Sequence, residues 1–381
     1  MNTEHSVENI SKPHYPNLDA LRFFAFFAVF MSHINLTNFE GAYIPPVVKW
    51  FREVFQNGVL GVNFFFVLSA FLITSLLLHE KKTFGKINWR NYFIRRSLRI
   101  WPLYFLLLLI FFAVVPPLLH LYGKTYSESA HSLYYIFFAG NFHQIYLGDP
   151  YSPVLAVLWS LGIEEQFYIG WIFLFSFLRN KIWTGFLLVV ISSIIFRAYL
   201  FNTNPDDLGK QLYLNTLSVF SDFGIGALLA YAVQQNFSFI QKLKSIPKSL
   251  IAFVYVIFIL LMIFYIPLFS STIVYTLERV ILGLFFCFII FEQSFCINSL
   301  FKVGNSKILS SLGKISYGLY VFHPLMIILA KDLLQQWNML LQPLGYFVLL
   351  PLISLPLTIL ISYLSYEFFE KRFLKLKKKF A

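Results

Sequence analysis

Arg22 and His33 stand eleven residues apart in the stretch NLDALRFFAFFAVFMSHIN, residues 17–35, most of which is apolar. At about 1.5 Å per residue a helix holds them about 16 Å apart along its axis. Eleven residues is also close to three turns, so the two side chains share a face. A charged side chain in hydrocarbon costs on the order of 3 kcal/mol and is retained for pairing or for function. A guanidinium near one end and an imidazole near the other, aligned, describe a polar path through a membrane. Asp19 precedes the arginine by three residues.

Two further constellations could work with this helix. The segment YFIRRSLRIWPLY carries Arg95, Arg96 and Arg99. Arg95 and Arg99 lie at i, i+4 on one face, and arginine forks bind phosphate bidentately, with help from the helix dipole if they open a helix. Ordinary positive-inside anchoring of a span accounts for the same residues. The segment LWSLGIEEQFYIGW places Glu164 and Glu165 inside a span, at a depth expected to match His33. Adjacent carboxylates there do not face lipid. Either they pair with Arg197 or Arg279, or one of them orients His33 as a general base. Trp159, Ser160 and Tyr168 add hydrogen-bonding groups to the same run.

Other polar intrusions read as structural. Ser69 beside Ala70 fits close helix packing. His323, ahead of Pro324, fits a kink partner or an interhelical hydrogen bond, and Asp222, Glu367 and Glu370 fit paired charges. Cys287 and Cys296 make no metal spacing and read as small core residues. Phosphate loop, zinc pattern and nucleophile elbow are all missing from the sequence, so no metal is expected.

These residues need spans to position them. The chain of 381 residues is 58% hydrophobic, 20% aromatic and 13% charged. Soluble domains carry about a quarter charged residues, so this is an all-α polytopic membrane protein. Apolar runs of spanning length fall at roughly 18–36, 58–79, 98–120, 154–178, 182–201, 213–235, 248–268, 273–295, 313–334 and 345–369. A further run at 132–140 is too short to cross. With the N-terminus inside, 22 of the 30 Lys and Arg fall on inner segments, 5 on outer segments and 3 within spans. That bias supports ten crossings with both ends cytoplasmic. The predicted organisation is a cytoplasmic segment at 1–17, a transmembrane domain at 18–370 and a basic tail at 371–381. The first helix lacks a cleavage signal and is expected to stay. The net charge of +12 sits at membrane edges, which points to lipid headgroups rather than nucleic acid.

The motifs together resemble integral-membrane acyltransferase family 3, whose members include O-antigen, peptidoglycan and exopolysaccharide O-acetyltransferases. NLDALRFFAFFAVFMSH is similar to its opening Arg–His motif, GVNFFFVLSAFLI to its second-helix signature and RRSLRIWPLY to its R-x-x-R element. WSLGIEEQFY and ISYGLYVFHP match two later motifs, in order and across the chain. Ala70 stands where the family has Gly, Phe220 where an Arg precedes Asp222, and Lys371–Arg372 where a proline follows Glu370. The C-terminal esterase-like domain of many relatives is not expected here.

The resemblance implies transfer of an acyl group, commonly acetyl from cytoplasmic acetyl-CoA, to a hydroxyl of a glycan or lipid-linked sugar. His33 would be catalytic, and Arg22, Arg96, Arg99 and Arg95 would bind the donor. Glu164 or Glu165 would fix the His33 tautomer, and Ser160 or Arg22 would steady developing negative charge. Acyl-CoA is a substrate in this reading and no resident cofactor is expected; the location is a bacterial cytoplasmic membrane. A transporter or flippase for a lipid-linked or small organic substrate also places charges inside spans. A membrane sensor or structural partner is a third reading. It leaves the intramembrane carboxylates no purpose beyond pairing.

Overall fold

A computed structural model describes residues 15–35, 58, 60–123, 125–178, 181–269 and 271–380. Most of the predicted N-terminal segment, the last residue of the tail, and Lys12, Lys49, Arg52, Lys124 and Arg179 of the charge pattern lie outside the described residues. Every regular element among the described residues is helical. The long helices are α1 (Pro16–Asn35), α2 (Leu60–Phe84), α3 (Trp89–Leu109), α4 (Trp159–Leu178) and α5 (Ile182–Thr203). They continue with α6 (Thr216–Gln235), α7 (Lys248–Ile263), α8 (Thr272–Phe295), α9 (Ser316–Gln336) and α10 (Leu350–Ser365).

Counted with the short pieces that extend them, nine described helices are long and apolar enough to cross a membrane. Helix α7, at 16 residues, spans only about 24 Å and falls short of a hydrocarbon core about 30 Å thick. The helix Ser238–Lys244 meets it at 93°, and together they make a tenth candidate. The chain is thus a multi-pass membrane protein with nine or ten spans. Large apolar side chains such as Phe177, Ile195, Phe253 and Ile273 are exposed on its outer faces, where lipid would cover them.

Several boundaries differ from those read off hydropathy. Helix α3 starts nine residues before the predicted 98, because Asn88 caps it by accepting from the Asn91 N–H (3.0 Å) and an interfacial turn rich in polar groups follows. The arginines therefore sit in its second and third turns, where backbone N–H groups are already bonded and the helix-end dipole does not reach them. The fourth predicted span breaks into Pro153–Val157 and α4. The ninth begins at Ser316, after a separate helix at Lys307–Lys314.

Helices in lipid associate through close packing and interhelical hydrogen bonds, since the tails around them are as apolar as leucine. Helix α6 lies along α2, α5 along α6, α9 along α10, and α1 against both α2 and Lys307–Lys314. A side chain at Gly226 would strike the Val67 carbonyl of α2, and one at Gly313 the Asp19 carbonyl of α1. These contacts set how near α6 and Lys307–Lys314 approach. Buried ion pairs tie the other helices. Arg279 of α8 donates to Asp222 of α6 (2.6 Å) and to Asn63 of α2 (3.1 Å). Arg197 of α5 pairs with Glu278 of α8 at 2.9 Å. Asp222 thus has a partner despite Phe220, supplied by α8. The predicted pairing of Glu164 or Glu165 with these arginines does not form, since each arginine is taken by a carboxylate that packing brings closer. Cys287 and Cys296 are free and buried, as read.

Candidate active site

Five helices converge on a cavity of about 90 Å³. Arg22 of α1 lines it, with Phe65 and Ser69 of α2, Arg96 and Arg99 of α3, and Ser160, Glu164 and Tyr168 of α4. Ser316, Tyr317 and Tyr320 of α9 complete the polar wall. On the four helices that contribute more than one residue the spacings include i, i+3 or i, i+4, so each lays one stripe toward the centre. Ser69 Oγ donates to Glu164 Oε1 (2.8 Å) and Tyr168 Oη to Glu164 Oε2 (3.0 Å), so both carboxylate oxygens are held. The Arg96 guanidinium lies 5.9 Å from the centre of the Tyr168 ring, within cation–π range. Arg22 pairs with Asp19 at 2.5 Å.

Among the described residues neither Arg96 nor Arg99 forms an ion pair. Three guanidiniums therefore share the cavity wall with one carboxylate, which leaves the space electropositive. Arg22, Arg99 and Tyr317 also line a second cavity of about 310 Å³, with Asp19, Lys314, Tyr366, Glu370 and Lys377. The two spaces meet at these shared side chains. This is a setting for an anion with a long polar body, since forked donors suit phosphates and hydroxyls line the way inward.

At the far end of the first cavity the Ser160 and Tyr320 hydroxyls lie 2.8 Å apart, and Tyr320 Oη also donates to the Val157 carbonyl (3.2 Å). The ring of His323 packs 5.8 Å from that of Tyr320, and the ring of His33 stands edge-on to His323 at 4.7 Å. His323 is fully buried, His33 half-buried. Cavity, Tyr320, His323 and His33 thus form a continuous sequence of contacts.

The acyltransferase-domain family model matches residues 15–366, which takes in every helix of this arrangement. The chain belongs to that acyltransferase family. O-acetyltransferase OatA of Staphylococcus aureus, strains NCTC 8325 and COL, is 28% identical to it over 384 residues, covering 96% of this chain and 58% of the relative. The chain spans about three fifths of the length of the curated relatives it matches. No solved structure matches it.

Within this acyltransferase fold most of the predicted site residues separate into two groups, while His33 and His323 lie outside the lining of both cavities. Arg22, Ser69, Arg96, Arg99, Ser160, Glu164 and Tyr168 are gathered around one space. Asp19 lies beside them through Arg22. Arg95 is drawn elsewhere, held by Glu80 (2.9 Å) and the Phe380 carbonyl (2.8 Å), because successive helix positions point about 100° apart. Glu165, on the other side of α4, accepts from the Trp101 indole at 3.2 Å. Trp159 packs its ring on Tyr213 (4.8 Å) and Phe66 (6.2 Å) rather than facing the cavity.

Two expectations are corrected. Neither glutamate contacts His33: Glu164 is engaged at the level of the arginines, and the neighbour of His33 is His323. Ser69 holds Glu164 instead of merely allowing close packing. His323 is the kink partner expected, its Nδ1 2.6 Å from the carbonyl that Pro324 leaves free, and its ring also touches His33. Glu367 pairs with Lys371 (2.7 Å), as expected of a paired charge, whereas Glu370 accepts from the neutral Ser365 hydroxyl (3.0 Å) and forms no ion pair among the described residues. The sequence reading missed Tyr317, Tyr320 and Lys314. A signal was present in ISYGLYVFHP, where Ser316, Tyr320 and His323 repeat at i, i+4, i+7 on an otherwise apolar helix.

Proposed function

We propose that this chain is an O-acyltransferase. It moves an acyl group, acetyl in the first instance, from acyl-CoA to a hydroxyl of a cell-surface glycan or lipid-linked sugar in a bacterial cytoplasmic membrane. The carrying observation is the electropositive cavity in which Arg22, Arg96 and Arg99 outnumber carboxylates, with His33, outside its lining, reached from Tyr320 through the ring of His323. Family membership and the naming of the OatA relatives support the same chemistry.

In this reading the CoA phosphates rest against Arg22, Arg99 and Lys314 on the wider cytoplasmic side. The pantetheine arm runs past Arg96, Glu164 and Tyr168. The thioester reaches Ser160, whose hydroxyl would turn from Tyr320 to donate to the carbonyl oxygen as it gains negative charge. His33, approached from the outer leaflet, takes the proton of the acceptor hydroxyl. That oxygen attacks the acyl carbon, a C–O bond forms, the C–S bond breaks, and the proton leaves with the CoA sulfur.

The test is transfer of label from radiolabelled acetyl-CoA in proteoliposomes holding the purified protein and a glycan extract. Labelled glycan is expected, and none with His33→Ala at equal folded amount. Translocation of unmodified substrate without labelled product would mean a transporter. Among the described residues the one sharply broken helix pair, Ser238–Lys244 with α7, contributes no residue to either cavity, so it lends that alternative no support.

A further inference from the structure

Pro324 has no N–H, so in α9 it cannot donate to the carbonyl four residues earlier, that of Tyr320. The Nδ1 of His323 lies 2.6 Å from that same carbonyl oxygen. A carbonyl only accepts, so Nδ1 must carry the hydrogen, and the neutral ring is left with a bare lone pair on Nε2. The His-Pro pair therefore selects one tautomer by local backbone chemistry. Nε2 is buried and has no hydrogen-bond partner among the described residues. An unmet buried acceptor costs free energy, so the site is built for a donor.

The rings around His323 narrow the choice of donor. Phe26 and Phe30 present edges at 5.9 and 6.5 Å and have no polar hydrogen. The Tyr320 hydroxyl is engaged by Val157 and Ser160. His33, edge-on at 4.7 Å, is the remaining ring with an N–H to give. Neither glutamate takes this place: Glu164 is held by Ser69 and Tyr168 at the level of the arginines, and Glu165 accepts from Trp101.

We propose that His323 is the positioning residue for His33, accepting its N–H on Nε2 and so leaving the other His33 nitrogen unprotonated toward the acceptor hydroxyl. A neutral imidazole takes the part a carboxylate plays in many general-base pairs, without adding a buried charge. His33 gains the acceptor's proton during attack and passes it to the departing sulfur; His323 holds the resulting imidazolium and exchanges no proton. This inference rests on the reading of His33 as the base.

The experiment compares His323→Gln, His323→Asn and His323→Leu, purified in nanodiscs. Glutamine sets an amide oxygen near the position of Nε2 and keeps the acceptor; asparagine sets an amide nitrogen near Nδ1 and keeps only the donor to Tyr320. Positioning predicts kcat down about 100-fold in the Asn and Leu variants, within about tenfold of wild type in Gln, and acetyl-CoA KM unchanged throughout. An active Asn variant beside an inactive Gln variant overturns it, because then the histidine serves only the freed carbonyl. Wild-type kcat in all three overturns it as well. A second measurement needs no turnover: nitrogen-15 spectra of histidine-labelled protein report the His33 tautomer. One tautomer in the wild type and a mixture in the Asn variant is expected, and this decides the matter if all three variants lose activity. An unchanged His33 spectrum overturns the proposal. If instead His33→Ala still transfers acetyl groups, the base assignment fails while the spectra still tell whether His323 fixes that ring.

Discussion

Arg96 and Arg99 face a space with too few carboxylates to neutralise them, and that imbalance is what a polyanionic donor would correct. A charged hydrogen bond contributes about 1.5–3 kcal/mol, so Arg96→Gln or Arg99→Gln should raise the acyl-CoA KM about tenfold to a hundredfold. The effect should shrink as salt is raised, because screening already weakens the wild-type attraction. Steady-state kinetics at two ionic strengths would measure both, and an unchanged KM would remove the donor from this cavity. Arg95→Gln makes the matched control. Its guanidinium is committed to Glu80 and Phe380, so KM should stay within about twofold of wild type, the exposed-pair scale.

Helices α2 and α6 show how element packing holds the polar groups in place. The Val67 carbonyl of α2 rests where a side chain on residue 226 would have to go, and Ser69, two residues along, holds Glu164. Gly226→Ala should cost about 1–3 kcal/mol, the usual penalty for overpacking a filled interface. Unfolding in mixed detergent micelles would report it, and no loss of stability would mean that α6 can shift freely. Hydropathy located these helices well, because a run of about 20 apolar residues has few alternatives in a membrane. It misplaced the start of α3, where an amphipathic turn capped by Asn88 extends the helix beyond its apolar part.

Across the whole molecule, two buried ion pairs knot α5, α6 and α8 together, away from the cavity. In the Arg279–Asp222 pair the side chains are 4% and 1% exposed, so removing one partner strands a charge. Arg279→Met should destabilise by about 3–5 kcal/mol, and the double change with Asp222→Asn should recover much of it. The same micelle unfolding assay checks this, and additive losses would mean the two residues do not act as a pair. Such partnerships were not legible in the sequence. Arg279 and Asp222 are far apart along the chain, and Glu164 and Glu165 looked equally able to serve either arginine.

The residues alone determined the membrane character, the number of spans to within one, and the identities of most polar groups around the cavity. These follow from composition and from helical spacing, which are local properties. Tertiary structure decided the partnerships: Ser69 with Glu164, Arg95 drawn off to Glu80, and His323 beside His33. Spacing fixes only which face of a helix a side chain occupies. Which neighbour that face meets depends on how nine or ten helices pack, and that is a property of no single stretch.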